Sequence, residues 1–224
     1  MPKNIKKILL VEGGSDKYAI ANLMGNYTNW PRDDHPVDIK DEGGVEKILD
    51  KVTFDTYIKS CSTLGIVIDA DENINSRWES IKTICRDHFP NLPDNLQKKW
   101  VISTNQNKRL GVWIMPDNNS NGMMETFLST LVTNNEGHAL LEYSKKVVAD
   151  AKLKYSAPFI NNHNDKAILH SWLAWQNPPG EAFGNAIAKK ILDPLSPTAV
   201  YFANWFCELF NLERLDIQHQ NSDR

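Results

Sequence analysis

Paired cysteines, long apolar runs and a surplus of basic charge are all missing from this chain, and each absence closes off a class of function. Only three cysteines occur in 224 residues. Cys61, Cys85 and Cys207 are widely spaced, and no Cys-x-x-Cys stands anywhere, which excludes a zinc ribbon and a disulfide framework. A reducing cytoplasm is the expected setting, and the opening Met1-Pro-Lys-Asn-Ile-Lys-Lys7 carries no signal-peptide apolar core. No apolar stretch approaches the ~20 residues of a membrane-spanning helix, so no membrane association is expected. The net charge is −3, which argues against a protein whose main work is coating nucleic acid. Nucleic acid stays open as a substrate, since a local basic patch and a bound metal can replace net charge. There is no Gly-Lys-Ser/Thr ending to any glycine-rich turn, hence no ATP-binding P-loop. Internal repeats are absent too.

What is present suits a soluble α/β fold with its own core: 41% of residues are hydrophobic and 24% charged. Ile8-Leu-Leu-Val11 is an unbroken apolar run flanked by lysines, as expected of a strand buried on both faces. Gly13-Gly14 follows as a tight turn, with Ser15 as N-cap of a helix over 16–27 whose stripe is Ala19, Ile20, Leu23 and Met24. Residues 29–36 read as loop, 37–41 as a short strand, and Gly43-Gly44 as a turn. A helix over 45–52 then points Val45, Ile48, Leu49 and Val52 inward. Residues 64–68 form the second strongly apolar strand, and 76–88 a helix with Trp78, Ile81, Ile84 and Cys85 on one face. Residues 100–103 and 111–115 are further strands, followed by a polar loop over 116–122 and a helix bearing Met124, Phe127, Leu128 and Leu131.

Strands alternating with helices imply a mostly parallel sheet flanked by helices. Beyond residue 133 only helical spacing remains, over 136–151, 165–176, 183–192 and 197–212, broken by Asn177-Pro-Pro-Gly180. The expected organisation is an α/β domain over 1–133, a helical C-terminal extension over 134–217 packed on it, and a polar tail over 218–224. Trp172, Trp175, Trp205, Phe206 and Phe210 stand at helical spacing and read as core rather than as base-stacking platforms.

Two acidic signatures sit where apolar strands end. Glu12-Gly13-Gly14-Ser15-Asp16 follows the first strand, and Asp69-Ala70-Asp71 follows the later one. Carboxyl ends of strands are where open α/β sheets bind ligands. Acids converging there repel unless a cation neutralises them, so Glu12, Asp69 and Asp71 point to a Mg²⁺ or Mn²⁺ site acting on phosphates. The bland alternative is that Asp69 and Asp71 cap the next helix while Glu12 forms a salt bridge. A calcium loop is rejected: its sixth position is Ile74 where Gly is needed and its twelfth is Ser80 where Glu is needed.

Leu9-Leu-Val-Glu12-Gly13 followed by Ile66-Val-Ile-Asp69-Ala70-Asp71 resembles the toprim domain shared by topoisomerases, bacterial primases and OLD-type nucleases. The resemblance covers the first 130 residues or so and implies a Rossmann-like sheet and a Mg²⁺-dependent reaction on phosphodiesters. Asn121-Gly122-Met-Met-Glu125 resembles the Gly/Ser-x-x-Glu of the OLD-type branch, and Lys166 its late lysine, which implies Glu125 as a second metal ligand and Lys166 as the group steadying phosphoryl charge. Asp117, at the end of the preceding strand, is a further candidate ligand. Gly13 and Gly14 are expected to let the backbone pass close to the bound group. The plain alternatives are an exposed first-turn acid for Glu125 and a solvated lysine for Lys166. His163 and His170 lack evident partners and read as structural or surface residues.

The function implied is hydrolysis of DNA or RNA, with room for a homo-oligomer and, by analogy with related nucleases, for a partner ATPase in phage defence. A haloacid-dehalogenase-type phosphatase, with Asp69 as nucleophile and Asp71 as acid/base, is the competing enzyme reading. It leaves Glu12 unexplained and finds Asn73 where Thr or Val is expected. A non-catalytic toprim-like domain that binds a nucleotide or a partner is the competing binding reading.

Overall fold

The structure, a computed structural model, describes residues 6–31, 34–96, 101–105 and 107–215. Five strands, β1 (Lys7–Val11), β2 (Asp38–Asp41), β3 (Thr63–Asp69), β4 (Val101–Asn105) and β5 (Lys108–Met115), form one sheet in the order β2-β1-β3-β5-β4. Every neighbouring pair is parallel except β4 with β5. The α/β class and the mostly parallel sheet expected from the alternating pattern are therefore observed.

The helices are α1 (Gly14–Met24), α2 (Val45–Ile48), α3 (Lys51–Ser60), α4 (Ile74–Cys85), α5 (Met124–Ser129), α6 (Asn135–Tyr155), α7 (Asn164–Ala174), α8 (Phe183–Ala188) and α9 (Pro197–Phe210). Side chains alternate along each strand, and both faces are apolar. Leu9, Val11, Val67 and Trp113 meet α1 and the C-terminal helices, while Ile8, Leu10, Ile66 and Val112 meet α3 and α4. Trp172, Trp205, Phe206 and Phe210 are core as expected, whereas Trp175 is 42% exposed beside Tyr143.

Three departures from the sequence reading have local causes. The helix expected over 45–52 stops after Ile48, and a second one, not anticipated, runs to Ser60. Asp50 restarts it by accepting a hydrogen bond from Thr53 N at 2.8 Å, and Val52 consequently points outward, 73% exposed. The first helix begins two residues early, because Gly13 rather than Ser15 is its N-cap and Asp16 accepts from Gly13 N. The helix after β3 is capped by Asn73, which accepts from Ser76 N at 2.9 Å; neither Asp69 nor Asp71 does that work. Trp100 and the polar tail lie outside the described residues.

The last helix is seated by missing side chains. Gly65 and Gly111 are register partners in β3 and β5. A Cβ on Gly111 would come within 2.4 Å of Leu209 Cδ2, and one on Gly65 within 2.9 Å of Phe210 Cζ. The two glycines form a notch in the sheet into which α9 presses Leu209 and Phe210.

The chain after β1 crosses to one face of the sheet as α1, and the chain after β3 to the other face as α4. Between those two adjacent parallel strands the connections diverge, which opens a crevice at their carboxyl ends.

Candidate active site

Glu12 leaves β1 at this crevice and reaches across to β3, where its Oε1 accepts from Asp69 N at 2.8 Å. Asp69 in turn accepts on Oδ1 from Met124 N at 2.9 Å, tying the end of β3 to the start of α5. The carboxylates of Glu12 and Asp69 each keep their second oxygen without a hydrogen bond among the described residues. Two residues further on the backbone reverses. Asp71 adopts a left-handed φ of 52° and exchanges two backbone hydrogen bonds with Gly122, itself at φ 141°. Arg77 fixes this turn from the first turn of α4, donating through Nε to Asp69 O at 2.8 Å and through Nη2 to Asp71 Oδ2 at 2.5 Å.

Glu125 is only 6% exposed, so it is not the solvated first-turn acid that its position allows. Its Oε1 lies 3.6 Å from Lys166 Nζ, and that lysine side chain is 54% exposed. The adjoining Thr126 hydroxyl donates to Asp165 Oδ2 at 2.5 Å, clasping α5 to α7. Glu12, Gly13, Gly14, Asp69, Asp71, Glu125 and Lys166 all line one cavity of about 540 Å³. Seven of the eight residues singled out from the sequence are thus brought together.

The eighth is not. Asp117 accepts from Asn119 N at 3.0 Å, from Ser120 N at 2.7 Å and from the Ser120 hydroxyl at 3.1 Å. Its carboxylate closes its own turn and does not line the cavity. The structure therefore does not bring Asp117, expected as a metal ligand, to the cavity.

Burial first, and then neighbouring acids, raise the pKa of Asp69, Glu12 and Asp16. Burial, and then the charges of Glu12, Asp16, Glu125 and Asp71, hold the Asp69 carboxyl well above the usual carboxylate range. Burial also pushes Glu12 upward against the opposing bond from Asp69 N–H. Asp16 is pushed up to about 6, chiefly by burial and then by Glu125, against the bond from Gly13 N–H and the charge of Lys166. Acids in this state attract a cation or a proton. Among the described residues, no group of three or more His, Cys, Asp or Glu side chains is arranged as a ready-made metal cage.

The family described as "Protein of unknown function (DUF3226)" matches residues 6–211. The chain belongs to the DUF3226 family. No curated protein and no solved structure matches it. The DUF3226 match spans the sheet, the cavity and the helix that carries Lys166, so the whole acidic site lies within the family's bounds.

Several residues of the DUF3226 cavity were not picked out from the sequence. Asp16 is the most consequential, and its signal was its place four residues after Glu12 across a Gly-Gly turn. Gly43 and Gly44 also line the cavity, the latter at φ 133° donating its N–H to Glu12 O at 2.9 Å. Ile160 and Asn162 form the far wall just before α7, joined by His163, read from the sequence as a structural or surface residue. His170 instead packs its ring on Phe183. All three cysteines are free and buried, and among the described residues no helix is long and apolar enough to cross a membrane.

Proposed function

We propose that this protein hydrolyses phosphodiester bonds of nucleic acid with Mg²⁺ or Mn²⁺ at the cavity of Glu12, Asp69 and Asp71. The observation that carries the reading is the set of acids held at adjacent strand ends with Asp69 and Glu12 pushed above their usual pKa range. Burying unpaired acids is costly, and the hydrogen bonds present leave oxygens of Glu12 and Asp69 turned to no other group. Those donors fit a hard divalent cation, since Mg²⁺ commonly takes one or two carboxylates and completes its shell with water and phosphate. Glu12, Asp69 and Asp71 would hold one cation, and Asp16 with Glu125 a second. Bound there, such ions supply Lewis-acid polarisation of the phosphoryl group and a nucleophile at neutral pH.

The chain's own residues supply the rest. Arg77 fixes the Asp69-Ala70-Asp71 turn and orients the Asp71 carboxylate. Lys166, loosely paired and largely exposed, is free to turn from Glu125 toward the negative charge that builds on phosphorus. His163 is exposed and lines the same cavity. The toprim resemblance supports the same chemistry, and through the OLD-type nucleases it extends the proposal to a cytoplasmic protein working beside an ATPase in phage defence.

The test is cleavage of plasmid, single-stranded DNA and transfer RNA with Mg²⁺ or Mn²⁺, wild type against Asp69→Ala, with a generic phosphate monoester alongside. Metal-dependent cleavage lost in the variant is the expected result. Turnover of the monoester alone would replace this reading with the phosphatase one, and retained cleavage in a folded Asp69→Ala would remove Asp69 from the chemistry.

A further inference from the structure

We propose that the site takes single-stranded nucleic acid, seating one unpaired base and its sugar against the asparagine amides of the groove that leads away from the acids; this rests on the hydrolytic reading above and names its substrate class. Three cavities, of about 540, 250 and 230 Å³, run into one another, with Asp71 and Asn162 lining all of them. Together they form a groove leading away from the strand ends between the 121–123 turn and the 161–164 turn.

The charge of this groove is wrong for a duplex. Seven acids and only two permanent cations, Arg77 and Lys166, line the three cavities. Arg77 is already engaged by Asp71, and Lys166 lies beside Glu125. Two divalent cations would still leave the lining one charge negative. A duplex presents a phosphate charge about every 1.7 Å along its axis and is held through many Lys and Arg contacts. Among the described residues lining the groove, Arg77 and Lys166 are the only cations, so at most two phosphates find one.

Beside those acids the groove offers a row of neutral amides. Asn161, Asn162 and Asn164 are exposed, and their amides make no hydrogen bond among the described residues. Asn121, by contrast, is engaged at both its oxygen and its nitrogen, accepting from Ile74 N and donating to Glu72 O. A free amide presents a donor and an acceptor side by side, the pattern that matches a base edge once that edge is released from pairing. Ile160 adds an apolar surface at the cavity mouth and is 58% exposed, an arrangement with no use to a phosphate.

The experiment is fluorescence anisotropy of the full chain with a labelled single strand of about twelve nucleotides and a hairpin duplex of the same sequence. Ca²⁺ replaces Mg²⁺ to hold turnover down. We expect the single strand to bind at least tenfold more tightly than the hairpin. With at most two phosphate contacts, the slope of log affinity against log KCl should be about −1.4. Replacing Asn161, Asn162 and Asn164 together by Ala should weaken single-strand binding about tenfold with an unchanged melting temperature. Equal or tighter duplex binding, a slope steeper than about −4, an amide-free variant that binds as well as wild type, or no binding of either probe would each overturn the proposal. Cleavage is then read separately in Mg²⁺: binding as described without cleavage sensitive to Asp69→Ala leaves the groove and removes the hydrolytic reading, whereas duplex-selective cleavage does the reverse.

Discussion

Replacing Asp16 by Asn keeps the first turn of α1 intact, because the amide oxygen can still accept from Gly13 N as the carboxylate does at 3.0 Å. What the substitution removes is one negative charge facing Glu125 and Asp69. The Asp16 carboxyl is raised from 3.8 to about 6. An acid whose pKa is higher folded than unfolded binds its proton more tightly in the folded state. Its ionisation therefore opposes folding once the pH exceeds the folded value, and the penalty fades as pH falls toward the unfolded value. At ~1.36 kcal/mol per pH unit the penalty above pH 6 is at most about 3 kcal/mol, and solvent at the cavity mouth reduces it to about 1–3 kcal/mol. For a chain of this size that corresponds to a melting temperature roughly 3–10 °C higher for the variant at pH 7.5 without divalent cation. The gain should shrink between pH 6 and 4 and vanish at pH 4. Thermal denaturation followed by circular dichroism in chelator at pH 7.5, 6 and 4 measures this directly. Saturating Mg²⁺ should reverse the order at pH 7.5, because wild type alone then gains the full linkage of binding to folding. A variant less stable than wild type at pH 7.5, or equally favoured at every pH, would refute the electrostatic account of the cavity.

Three other outcomes are expected. Gly111→Ala should destabilise the fold by about 1–3 kcal/mol through overpacking, since the new Cβ meets three atoms of Leu209 at 2.4–2.9 Å; urea unfolding checks it, and Leu209→Ala should recover part of the loss. Asp117→Ala should lower stability by about 1 kcal/mol through the lost turn bonds and leave metal-dependent cleavage unchanged, so a large fall in activity would restore Asp117 to the site. Lys166→Ala should lower turnover at least tenfold with unaltered Mg²⁺ affinity measured by calorimetry, whereas weakened metal binding would assign Lys166 a supporting role in the cavity instead.

The strands that build the site were legible because burial on both faces leaves an unmistakable apolar run, as in Ile8–Val11 and Leu64–Ile68. Their acidic ends were legible for the same reason: charge directly after such a run stands out. Which nearby acid turns inward was not. Asp16 and Asp117 both sit a few residues beyond a strand, and only the backbone path decides that one faces the cavity while the other folds back on Asn119 and Ser120. Arg77 was invisible as a partner of Asp71, because the link depends on a left-handed Asp71 that doubles the chain back over the start of α4. The boundary between α2 and α3 was missed because one capping aspartate outweighed an otherwise continuous helical pattern.

The glycine notch that receives Leu209 and Phe210 sets an order of events for a chain emerging from the ribosome. Glu12, Asp69 and Asp71 are synthesised early, yet the notch in the sheet face behind them is filled only when α9 exists, roughly 140 residues after Asp71. At about 5–20 residues per second, that notch waits on the order of ten seconds to be filled. For most of that interval the cavity also lacks the α7 wall that carries Lys166, so the acidic crevice is completed late as well.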